Sequence, residues 1–132
     1  MRRRVCKARI ISPRMLRHLL RSSSGLIFSY RFTVPDIVAC DRFRIYTSKY
    51  TEEAVVKCPE LYYVPGLHAK LYVFDGLGVV VGSSNMTAIG LGTRQKYDRH
   101  EILVFTPCLE GLDEWIQNIT SRARRVQPGE EP

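Results

Sequence analysis

The chain has 132 residues, with 20 Lys and Arg against 13 Asp and Glu, a formal net charge of +7 at pH 7 and a pI near 9.5. This length allows one small domain with a modest core and leaves no room for a large lid, and 45% hydrophobic with 25% charged residues is the balance of an ordinary soluble globular protein. No apolar run approaches the length that spans a bilayer, and Cys6, Cys40, Cys58 and Cys108 are too scattered, with no C-x-x-C pair, for a structural zinc site. The basic excess draws such a domain toward polyanions, nucleic acid or an anionic lipid surface.

In chain order, Met1-Arg2-Arg3-Arg4 is basic, but Lys7, Arg9, Pro13 and Arg14 interrupt the stretch after it. A signal peptide is therefore not expected, the expected compartment is the cytoplasm, and the cysteines are expected as buried free thiols. Val5 to Ile11 reads as a first strand. Ser12-Pro13 opens a helix with Pro at its first position, and Met15, Leu16, Leu19 and Leu20 carry it at helical spacing to Ser22. The Ser-Ser-Ser-Gly run ending at Gly25 breaks the chain. Leu26 to Val34 is an aromatic and β-branched strand stopped by Pro35-Asp36, and Arg42 to Thr47 is another. Thr51 caps a short helix to Lys57, with Glu52 and Glu53 in its first turn. Leu61 to Val64 is a short strand closed by Pro65-Gly66. Leu67 to Phe74 and Gly78 to Val81 form a hairpin around Asp75-Gly76. Gly82 to Asn85 is a polar loop, and Met86 to Tyr97 reads as a surface loop. His100 to Thr106 is a strand, and Leu109 to Arg125 an amphipathic helix with Leu112, Trp115, Ile116 and Ile119 on one face, suited to the core or to an interface. Residues 127–132 are expected as a flexible tail after a single domain spanning 1–126. The alternation of strands and helices points to an α/β or mixed sandwich domain.

The chemistry lies in Leu67–Asn85. On a strand, His68 and Lys70 project to one side, and a lysine half-buried there is costly without an anion nearby. Gly82 lets a ligand approach the backbone, while Ser83 and Asn85, again two apart, offer an O–H and an amide N–H₂ in one direction. An imidazole, an ammonium and two neutral donors make a cradle for one phosphate.

The spacing His68-x-Lys70-x₄-Asp75-x₆-Gly82-Ser83-x-Asn85 resembles the HKD motif of the phospholipase D superfamily, without departure at any specified position. The resemblance is strong from about Leu61 to Thr106 and weak before that. It implies a phospholipase D-like mixed β-sheet flanked by helices. It implies that His68 attacks phosphorus to give a phosphohistidine, that Lys70 and Asn85 hold the non-bridging oxygens with Ser83 assisting, and that Asp75 is structural, as its place in the turn agrees. An acidic residue after the motif orients the histidine in such proteins, here Glu101, with Asp98 as the second choice. No metal or other cofactor is implied. The chemistry needs two such histidines. His18 and His100 lack a lysine two residues on, so the resemblance implies a homodimer with the site on its two-fold axis. Within the family's range the basic charge favours a metal-independent nuclease acting on DNA or RNA, with Arg94, Lys96 and Arg99 lining a groove and Tyr97 placed for stacking. The alternatives are a lipid phosphodiesterase without stable membrane insertion and a nucleic-acid-binding module of a larger assembly.

Overall fold

Each central strand buries both of its sides. Ile27, Ile45, Tyr72 and Val80 belong to one apolar cluster, and their chain neighbours Phe28, Tyr46, Leu71 and Val79 to another. Because successive strand residues face opposite sides, the sheet separates two cores. The computed structural model describes residues 7–33, 35–87, 90–92 and 100–130. Among these, eight strands form one mixed sheet: β1 (Arg9–Ile11), β2 (Gly25–Phe32), β3 (Phe43–Tyr50), β4 (Leu61–Tyr63), β5 (Lys70–Phe74), β6 (Gly78–Gly82), β7 (Leu103–Thr106) and β8 (Arg124–Arg125). Their spatial order is β1-β7-β6-β5-β2-β3-β4-β8. The neighbours β2, β3 and β4 are parallel, and every other pair is antiparallel. The expected mixed sheet flanked by helices is the observed one.

Helix α1 (Pro13–Ser22) starts where Ser12 accepts the Met15 N–H, and Leu16 and Leu20 are fully buried in the first core. Helix α2 (Glu52–Lys57) is capped by the Thr51 hydroxyl, which accepts the Ala54 N–H. Helix α3 (Leu112–Thr120) closes the second core: Leu112, Trp115, Ile116 and Ile119 pack on it, and the indole meets Phe28 edge-on at 5.1 Å. This apolar face therefore serves the core of its own chain. No helix among the described residues is long and apolar enough to cross a membrane.

Several expectations change. Helix α3 stops at Thr120, and Arg124 and Arg125 instead pair with Tyr63 and Tyr62 of β4. An open strand edge needs hydrogen-bonding partners, and that requirement overrides helical periodicity. In the tail, the Gln127 N–H donates to Glu130, which pairs with Arg124 at 2.6 Å. Cys40 and Cys58 are bonded to each other, not free, because the turn before β3 and the end of α2 bring their Cα atoms within 5.0 Å. The strand expected from Leu67 begins only at Lys70, so His68 precedes it. Ala69 nevertheless accepts the Tyr30 N–H at 3.1 Å, which keeps the segment against β2.

Candidate active site

Four of the motif residues, His68, Lys70, Ser83 and Asn85, lie at one end of the sheet, and Asp75 lies in the turn at the other. At the first end β2 and β3 finish, β5 begins, β6 runs out into Ser83–Asn85, and Glu101 and Ile102 lead into β7. Parallel strands leave their carboxyl ends together, which is where open α/β sheets place ligands. His68 is exposed, and its ring lies beside that of Tyr30 of β2, 4.7 Å between centroids and tilted by 44°. Its segment is braced from below: the Ser48 hydroxyl lies 2.8 Å from the carbonyl oxygens of both Val64 and Leu67. Lys70 is half-buried opposite Ser29 on β2 and forms no ion pair with a described carboxylate. His68, Lys70 and Gly82 border an open cleft of about 550 Å³ whose far wall is Leu109–Leu112 and Trp115.

Asn85 is joined to this end of the sheet through Ser29. The fully buried Ser29 hydroxyl accepts the Met86 N–H at 3.0 Å and donates to the Arg31 carbonyl at 2.7 Å, with Asn85 Oδ1 a second acceptor at 3.3 Å. The Arg31 N–H also reaches Asn85 Oδ1, at 3.4 Å. With its oxygen engaged, the amide keeps its two N–H donors for another partner. Ser83 donates to the Glu101 carboxylate, accepts the Ile102 N–H at 3.0 Å and gives its own N–H to the Ile102 carbonyl at 3.0 Å. Glu101 is thus bound to Ser83 and not to His68 among the described residues. Asp75 lies in the hairpin turn, where Leu77 N–H donates to Phe74 and Gly76 takes φ +73°; its carboxylate accepts the Ser24 hydroxyl at 3.0 Å. Gly82 borders the cleft and also carries a structural constraint. A Cβ there would lie 2.1 Å from the Ile102 carbonyl oxygen, so the backbone it admits is that of the neighbouring strand.

Tyr30 is the residue the sequence did not flag, because it lies outside the motif and only the β2–β5 pairing brings it to His68. A hydrogen bond from Lys49 and the Lys49 charge, followed by a hydrogen bond from Arg31, hold its phenol below the usual tyrosine value against the opposing effect of burial. Arg94, Lys96 and Arg99, with Tyr97 and Asp98, lie outside the described residues.

Two solved structures share this architecture. NucT from Helicobacter pylori superposes with a TM-score of 0.67 at 14% identity, over 92% of this chain and all of its own. Nuc from Salmonella typhimurium, a phospholipase D family member, superposes at 0.57 with 16% identity, over 93% of this chain and 99% of its own. No protein-family model and no curated protein sequence matches the chain. The chain is therefore built on the phospholipase D-like fold of these structures.

Proposed function

We propose that the chain is a metal-independent phosphodiesterase that cleaves nucleic acid through a phosphohistidine on His68, in a homodimer that sets two such sites face to face. The observation that carries this reading is the gathering of His68, Lys70, Ser83 and Asn85 at one end of the sheet, in a chain with a net charge of +7. His68 attacks phosphorus, and the P–O bond to the leaving group breaks. His68 of the second copy gives that oxygen its proton, then takes one from the water that releases the phosphate. Lys70 and the Asn85 amide neutralise and hold the non-bridging oxygens, most strongly in the transition state. Glu101, through its bond to Ser83, fixes the loop that carries Asn85.

The test is cleavage of single- and double-stranded DNA and RNA in excess EDTA, with wild type and His68→Ala side by side. Cleavage by wild type alone, from a dimer by light scattering, with a bell-shaped pH profile, is the expected result. Activity retained by His68→Ala, or restored only by Mg²⁺, refutes the mechanism, and an active monomer refutes the shared site. A second reading, a lipid phosphodiesterase, draws on the apolar side of the cleft beside His68, formed by Leu71, Val81, Leu109, Leu112 and Trp115. Turnover of phosphatidylcholine or phosphatidylglycerol vesicles, with no cleavage of the four nucleic acids, selects it.

A further inference from the structure

Arg31 and Lys49 are direct partners across the parallel β2–β3 pair. Like charges placed opposite each other on neighbouring strands destabilise a sheet. Both side chains are exposed and lie against the Tyr30 ring, and neither forms an ion pair with a described carboxylate. Three other cations do meet carboxylates, Arg44 on Glu60, Lys57 on Asp36 and Glu53, and Arg124 on Glu130. Arg31 and Lys49 lie beside the nucleophile. Lys49 Nζ lies 5.3 Å and Arg31 Cζ 6.0 Å from the centroid of Tyr30, whose ring is 4.7 Å from that of His68. Arg31 is further tied to the motif through its N–H on Asn85.

We propose that Arg31 and Lys49, set around Tyr30, form a second phosphate subsite that holds the phosphate next to the one being cleaved. The substrate is then a strand with consecutive phosphates, not an isolated diester such as a phospholipid headgroup. The proposal rests on the phosphodiesterase reading above and names its substrate class. An anion between the two cations is attracted to both, and the ring of Tyr30 lies between that anion and the imidazole. Each phosphate neutralised on a single strand adds about 0.7 to the slope of log affinity against log salt.

The test compares wild type, Arg31→Gln/Lys49→Gln and, as a control at a neutralised site, Arg44→Gln, on a short labelled oligonucleotide and on a dinucleoside monophosphate, which holds one phosphodiester and no flanking phosphate. Wild type is expected to prefer the oligonucleotide. The double variant is expected to lose at least tenfold in kcat/KM on the oligonucleotide, to lose far less on the dinucleoside, and to lose about 0.7 to 1.4 of the salt slope. Its melting temperature is expected to stay near that of wild type, since both side chains are exposed. Equal losses on both substrates, no loss on the oligonucleotide, or a lowered melting temperature overturns the subsite. If wild type cleaves neither substrate, the catalytic reading fails by itself, and anisotropy of the labelled oligonucleotide decides the subsite. Weaker binding by the double variant sustains it, and unchanged binding overturns it. Loss of binding to phosphatidylglycerol vesicles with oligonucleotide binding intact also overturns it, in favour of a membrane surface.

Discussion

Replacing Gly82 by alanine tests whether the β6–β7 contact is what holds the loop of Ser83 and Asn85 in place. The added Cβ would stand 2.1 Å from the Ile102 carbonyl oxygen and 2.9 Å from Leu103 Cα, where an ordinary contact begins near 3.4 Å. Both obstructing atoms are backbone, so no side chain can swing aside, and the strands must part by more than an ångström at the Gly82–Leu103 pair. Two hydrogen bonds at that point, Ser83 N–H to Ile102 and Ile102 N–H to the Ser83 hydroxyl, are each 3.0 Å long and are lost or stretched. At about 1 kcal/mol each, with strain added, the expected cost is about 2–4 kcal/mol. In a domain of this size that is a fall in Tm of about 10 °C. The same displacement carries Ser83 and Asn85 away from His68, and a misplacement of about 1 Å costs on the order of 100-fold in turnover. Thermal unfolding followed by circular dichroism, together with the nucleic-acid cleavage assay, reads both effects. The comparison is His68→Ala, expected to lose turnover while keeping the wild-type Tm. A Gly82→Ala protein with wild-type Tm and activity refutes the reasoning.

Replacing Cys40 and Cys58 together by alanine opens a link between residues 18 apart in sequence. It is expected to cost about 3 kcal/mol by loop entropy, measured as a lower denaturant midpoint under non-reducing conditions; an unchanged midpoint shows that the link contributes nothing. Tyr72 is fully buried, and burial raises its phenol well above the ordinary tyrosine value. A pKa raised on folding gives stability that is complete below the unfolded value of about 10 and declines as pH rises above it. Unfolding titrations are therefore expected to show stability falling from about pH 10 upward, less steeply in Tyr72→Phe; identical slopes in both proteins refute this assignment.

Local pattern and the motif made much of the molecule legible in the sequence. Helix α1 is declared by Ser12-Pro13 and the spacing of Leu16 and Leu20, α2 by Thr51, and the β5–β6 hairpin by Asp75-Gly76, because caps and turns depend on neighbours close in the chain. His68, Lys70, Ser83 and Asn85 were candidates from spacing alone, and the fold brings their segments to one end of the sheet. What depends on distant partners waited for the tertiary structure. The open edge of β4 draws Arg124 and Arg125 out of a helical pattern, the approach of β7 gives Gly82 its reason, and Cys40 meets Cys58 only after β3 and α2 fold. The β2–β5 and β2–β3 registers decide which residues surround the imidazole: Tyr30 against His68, and Arg31 beside Lys49. A sequence carries the side chains and their local periods, whereas register is set by packing across strands far apart in the chain.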